Sequence, residues 1–132
     1  MDIIVSHMQG HVPVTVFRIE ERVNLGNAEE LETAARQAVQ NGTRDLLIDL
    51  TDVPSITSAG LRSLQIIYKL LSDTHMEQTG EETQMQPSGP GLKSRHLKLV
   101  NPSPYVRKVL HTAGFDMFLD IYENLPDAVA SF

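Results

Sequence analysis

Apolar and polar positions change rhythm several times along the chain, and each change marks an element. The rhythm is sharpest over residues 46–71. Leu46-Leu47-Ile48-Asp49-Leu50 is an apolar run broken by one carboxylate. It is too short for a helix and reads as a strand buried on both faces. A turn carrying Pro54, Ser55, Thr57 and Ser58 follows. Leu61, Leu64, Tyr68 and Leu71 then share one helical face, with Ile67 beside them. Ser58 is therefore predicted at a strand-to-helix junction.

Upstream, residues 3–5 and 12–20 are predicted as strands joined through Gln9-Gly10-His11. Pro13 cannot donate to a ladder and belongs at a strand start or an edge. Leu31, Ala34, Ala35, Ala38 and Val39 recur at helical spacing. Asn27 with Glu30 predicts a capping box before them, and Asn41-Gly42 a left-handed stop behind. Downstream, residues 96–100 read as a short strand. Ser103 caps a helix that has Pro104 at its first position and Val106, Val109, Leu110 and Ala113 as its stripe, and Gly114 ends it. Residues 118–122 are predicted as an edge strand, and a last helix starts near Leu125 behind Asn124. Strand and helix alternate from Asn27 onward, which predicts an α/β fold with right-handed parallel crossovers. The expected sheet is mixed but mostly parallel, with roughly four to five strands and about four helices. A chain of 132 residues suits a single domain spanning residues 1–132.

One segment breaks the pattern. Residues 72–92 hold Asp73, Glu77, Glu81 and Glu82 but no Lys or Arg, together with Pro87, Gly89, Pro90 and Gly91. This composition predicts a flexible acidic loop, inserted over about residues 74–95. The net charge of −6 argues against a nonspecific nucleic-acid or anionic-membrane surface. There is no cysteine, hence no disulfide framework and no thiolate metal site. No apolar run reaches membrane-spanning length, and the N-terminus has no signal-peptide core, so a cytoplasmic protein without membrane insertion is expected.

Three chemistries compete for Ser58. It could be a plain helix cap, a nucleophile or a phosphoacceptor, since a helix N-terminus favours anionic groups. Ile56-Thr57-Ser58-Ala59-Gly60 half resembles the G-x-S-x-G nucleophile elbow, but Ile56 replaces the first glycine. His96 and His111 lie later in the chain without a recognisable acid–histidine arrangement. A nucleophile needs a positioned base, so no catalysis is expected. His7 and His11 flank a turn rather than share a helix face, and no glycine-rich phosphate loop is present. No metal and no cofactor are expected. Asp49 is expected to bond to N–H groups of the turn, and Arg62 to be solvated.

The succession IDLTDVPSITSAGLRSL, LKLVNPSPYVRKVLHTAGF and FLDIYENLPDAVA resembles the STAS domain family, which includes the bacterial anti-sigma-factor antagonists. The order and spacing of these segments carry the resemblance, not any one motif. It implies a binding module in partner switching, whose partner is an anti-sigma factor with serine kinase activity. By the same resemblance Ser58 falls on the serine that such a kinase phosphorylates. Ser55, Ile56, Thr57, Ser58, Ala59 and Arg62 would then form the docking surface, with Asp49 and Gly60 supporting it. Arg62 could also reach a phosphate on Ser58. No direct nucleic-acid contact is expected, and homo-oligomerisation is left open. The antagonists commonly have Asp where this chain has Thr57, and residues 74–95 have no counterpart among them. Both departures fit a second expectation, a STAS subunit that docks the ATPase of a transport complex without phosphorylation.

Overall fold

A computed structural model of the chain describes residues 1–79 and 93–132, with side chains described for residues 1–73 and 93–132. The elements are β1 (Ile3–Gln9), β2 (Pro13–Ile19), α1 (Ala28–Gln40), β3 (Leu46–Asp49), α2 (Ser58–Thr79), β4 (Leu97–Val100), α3 (Pro104–Thr112), β5 (Asp120–Tyr122) and α4 (Leu125–Ala130). A 3-10 turn, Phe115–Met117, precedes β5. The strands form one five-stranded sheet in the order β1-β2-β3-β4-β5. The first pair is antiparallel and the other three are parallel, so the sheet is mixed and mostly parallel as expected.

Side chains alternate across the sheet, and each set finds its own core. Phe17, Ile19, Leu46, Ile48, Leu97 and Leu99 face Leu31 and Ala35 of α1, Leu64, Ile67 and Leu71 of α2, and Val106 and Leu110 of α3. On the opposite face Val14, Val16, Leu47 and Val100 meet Ala128 and Val129 of α4. β3 is buried on both faces, which is why its sequence runs apolar instead of alternating. Lys98 shares the α4 face and is 6% exposed. Its ammonium donates to the Ser131 carbonyl at 2.9 Å and the Ser131 hydroxyl at 3.0 Å, and lies 4.8 Å from the centre of the Phe132 ring. The end of α4 thus receives the charge where the helix dipole favours a cation.

Several boundaries differ from expectation. β1 runs to Gln9, because β2 pairs with it in unbroken register from Ile3↔Ile19 to Gln9↔Pro13. Pro13 opens β2, the strand-start position that a residue without an N–H tolerates. The capping box does not form. The Asn27 side chain instead accepts from the Asn24 N–H and donates to Glu21 and the Arg22 carbonyl, while Glu30 pairs with the Met1 ammonium. Ser103 and Asn124 do cap their helices, accepting from the Val106 and Asp127 N–H groups at 3.2 and 2.9 Å. Gly42 takes the left-handed backbone expected after α1, and Gly114, expected only to end α3, is left-handed as well.

The acidic insertion begins later than its composition suggested. α2 continues to Thr79, so residues 74–79 have helical backbone. The rest of that expectation, residues 80–92, lies outside the described residues. Residues 93–95 do not behave as loop tip. The Ser94 N–H bonds to the Phe118 carbonyl, and the Ser94 hydroxyl accepts from the N–H groups of His96 and Leu97. Phe118 and Leu119 precede β5 instead of opening it.

Candidate functional site

The parallel strands end at Asp49 and Val100, and the loops beyond them form one surface. Asp49 is 7% exposed, so its carboxylate needs partners. It accepts from the Thr51 N–H at 3.0 Å and the Thr51 hydroxyl at 2.6 Å. The Thr51 hydroxyl in turn accepts from the Asn101 amide at 3.1 Å. Asn101 stands at φ 53°, a left-handed backbone that asparagine tolerates, just before Pro102. The loops after β3 and β4 are therefore tied through one hydroxyl. Asp49 serves as expected, bonding to its own turn.

Residues 55–57 are strapped to the stretch that follows β2. Val23 and Ile56 form an isolated parallel bridge: the Val23 N–H donates to the Ser55 carbonyl, and the Thr57 N–H to the Val23 carbonyl, both at 3.0 Å. Arg18 adds an ion pair from β2 to Asp52, with its Nε 3.1 Å from the carboxylate. That contact raises the Arg18 pKa further. Gly60 closes the arrangement. A Cβ there would meet Ile56 Cγ1 at 2.6 Å and Val23 Cγ1 at 2.9 Å, so only glycine lets α2 sit this close to the strap.

Ser58 emerges from this scaffold. The Thr57 carbonyl accepts from the Leu61 N–H, so Thr57 flanks the helix and Ser58 is its first residue. The reading of Ser58 as cap is thereby corrected. Its side chain is exposed and enters no hydrogen bond among the described residues. Thr57 is exposed as well, and its hydroxyl lies 3.4 Å from the Val23 carbonyl. Ser55 and Ala59 are half-buried, and Arg62 is exposed one turn into α2. Ile56, expected on the contact surface, is only 4% exposed and anchors the turn from beneath. Gly60 is buried at the start of α2.

Beside the turn lies a shallow cleft of about 640 Å³ lined by Glu20, Glu21, Arg22, Thr51, Asp52 and Ser103, among others. Glu21 is fixed at its rim. The Asp2 N–H, and then the Asn27 amide, hold its carboxyl below the usual carboxylate range. These neighbours, like the Val23 strap, were not foreseen as parts of the site. Val23 did carry a signal, as a lone valine in the polar stretch 20–24, and so did Asn101 before its proline.

Among the described residues two acid–histidine pairs occur, and neither is near Ser58. Asp45 and His96 lie 2.9 Å apart just before β3 and β4, whereas Ser58 follows β3, at the opposite end of the sheet. His111 pairs with Asp116 at 2.6 Å, near the end of α3, where the chain has returned toward the strand starts. Among the described residues no three acidic or histidine side chains cluster as a metal site. Among them, too, no helix is long and apolar enough to cross a membrane.

A mostly parallel sheet, a polar turn at its carboxyl end and an exposed serine opening the next helix agree with the STAS domain, whose family model matches residues 6–77. The chain belongs to the STAS domain family. It is 29% identical over 110 residues to BtrV of Bordetella bronchiseptica, which carries the provisional name of an anti-sigma factor antagonist; the match covers 83% of this chain and 78% of BtrV. An anti-sigma factor antagonist from Mycobacterium paratuberculosis superposes with a TM-score of 0.73 at 25% identity, over 98% of this chain and 92% of its own. A STAS domain protein from Planctomyces limnophilus shares the fold, with a TM-score of 0.71 at 22% identity over 98% and 96% of the two chains.

Proposed function

We propose that the protein is an anti-sigma-factor antagonist that binds an anti-sigma factor and is released when Ser58 is phosphorylated. One observation carries this reading: Ser58 presents an unengaged hydroxyl on the first turn of α2, on a turn held rigid by the Val23–Ile56 strap. The names of BtrV and the M. paratuberculosis protein support the partner. Ser55, Thr57, Ser58, Ala59 and Arg62 form the contact surface, with Asp49, Ile56 and Gly60 shaping it from below. The protein acts by binding and not by catalysis, in the cytoplasm, and an anti-sigma factor with serine kinase activity supplies the phosphate.

A phosphate on Ser58 adds about −1.5 to −2 charges at pH 7. At a helix start that charge meets N–H groups without internal partners and the positive end of the dipole, so the fold survives. Arg62, one turn on, swings back to pair with it. Docking does not survive, because a strongly hydrated dianion now occupies the centre of the contact. Disrupting a central interface group commonly costs about 2 kcal/mol or more, roughly a thirtyfold loss of affinity.

The test joins kinase and binding measurements. Incubation with the anti-sigma factor and ATP, followed by mass spectrometry, is expected to map a single phosphate to Ser58. Ser58→Asp melts at nearly the wild-type temperature yet binds the anti-sigma factor at least tenfold more weakly by calorimetry. Ser58→Ala binds normally and escapes phosphorylation. Equal affinity of wild type and Ser58→Asp, both folded, overturns the switch. Binding without any phosphorylation favours the second expectation, a STAS subunit docked in another complex.

A further inference from the structure

The two edges of the sheet are built differently. β5 is three residues long, and Asp120 at its start is paired with Lys93. A short edge with charged side chains resists further pairing. β1 is seven residues long, Ile-Ile-Val-Ser-His-Met-Gln, with no Asp, Glu, Lys, Arg or Pro. Its register with β2 is free of bulges. Ile4 is 49% and Val5 50% exposed, one on each face of the sheet. Shortness, charge, proline and a bulge, four devices that protect edge strands, are all missing from β1.

We propose that β1 pairs antiparallel with β1 of a second copy of this chain, about a two-fold axis at Ser6, to give one continuous sheet across the dimer. An edge strand carries unpaired N–H and C=O groups along its outer side, and a second strand satisfies them. Centring the pair on Ser6 engages all seven residues, setting Ile3 opposite Gln9, Ile4 opposite Met8 and Val5 opposite His7 of the other copy. Any other centre on β1 leaves residues overhanging. Ile4 then falls beside a Met8 already packed against the α4-side core, and extends that core across the axis. Val5 is covered on the opposite face.

Charge leaves this occupant a route of approach. Two chains of net charge −6 repel, and β1 offers them a seven-residue uncharged line of approach. The pairing is isologous and therefore closes at two copies instead of growing into a filament. Ser58 follows β3, two strands inward from this edge, so the dimer leaves the contact surface free.

The chain has no cysteine, which makes a clean reporter available. Ser6 is exposed and stands opposite its own copy, so Ser6→Cys is expected to form a disulfide-linked dimer under mild oxidation. Ile4→Cys, displaced from the axis, is expected to cross-link at least tenfold more slowly. In sedimentation velocity the wild type should move from a monomer to a dimer boundary between micromolar and millimolar concentration. Ile4→Lys and Val5→Lys should stay monomeric with unchanged melts. A wild type that remains monomeric throughout overturns the proposal, as does equal cross-linking of the two cysteine variants. Capture of β1 by an extended strand of another protein, with this chain monomeric alone, overturns it too.

Discussion

The two ends of the parallel strands treat their polar groups in opposite ways. Where β3 and β4 begin, Asp45 holds His96, and the Thr15 hydroxyl lies 2.8 Å from that of Thr43 and 3.5 Å from His7. Where the strands end, Asp49, Thr51 and Asn101 are equally well bonded, yet their bonds hold up a turn whose own hydroxyl, on Ser58, points outward. At one end polar groups close on each other; at the other they brace a group left for something else. In open α/β sheets the crevice beyond the carboxyl ends of the strands is the usual place for binding. The contrast shows what such a site is made of: an unengaged side chain and a rigid bracket behind it.

Breaking the bracket should have the largest effect. Gly60→Val drives a branched side chain into Ile56 and Val23, and overpacking of this kind costs about 1–3 kcal/mol. Chemical denaturation should show that loss, and Ser58 should become a poorer kinase substrate although it is untouched. Normal phosphorylation of a destabilised Gly60→Val would mean that the strap matters to stability alone. Next comes Thr51→Val, which removes the hydroxyl joining Asp49 to Asn101 and should cost about 1–2 kcal/mol by the same measurement.

The far end should respond less. Asp45→Asn weakens the contact with His96, a largely buried side chain at the strand starts, and is expected to cost at most about 1 kcal/mol. Binding of the anti-sigma factor, followed by calorimetry, should be unchanged; a large loss there would erase the contrast between the two ends. The smallest effect concerns acid. Glu21 is held below its ordinary value of 4.5 by the Asp2 N–H first and the Asn27 amide second. Its folded pKa is lowered, so its contribution is complete above the ordinary value and is lost as pH falls through the folded one. Thermal melts of Glu21→Gln should therefore differ from wild type above that acid window and converge with it below.

How far these features could be read in advance depends on the range of the forces behind them. The elements around Ser58 follow from local rules: an apolar run for β3, helical spacing for α2 and side-chain caps at Ser103 and Asn124. Asn27 followed the same rules and failed, because Glu21 and Arg22, six and five residues back, took its side chain. β1 outran its apolar segment because β2 lay beside it in register. The bracket itself joins Val23 to Ile56 and Thr51 to Asn101, contacts that no periodicity within an element announces. The exposure of Ser58 and the burial of Ile56 two residues earlier likewise emerge only once the turn is folded against its neighbour.

The α4 side of the sheet has a consequence for synthesis on the ribosome. Val14, Val16, Leu47 and Val100 are all in place once β4 has formed, but their cover comes from residues 125–132, and so does the carbonyl that receives the Lys98 ammonium. During translation one face of the sheet is covered by α1, α2 and then α3, while the other stays bare until those residues emerge. Throughout that interval a nascent chain carries an exposed apolar sheet face with an amine at its centre, a surface that holdase chaperones recognise. Until α4 arrives, the Lys98 ammonium lacks the Ser131 carbonyl and hydroxyl that bond to it in the folded protein.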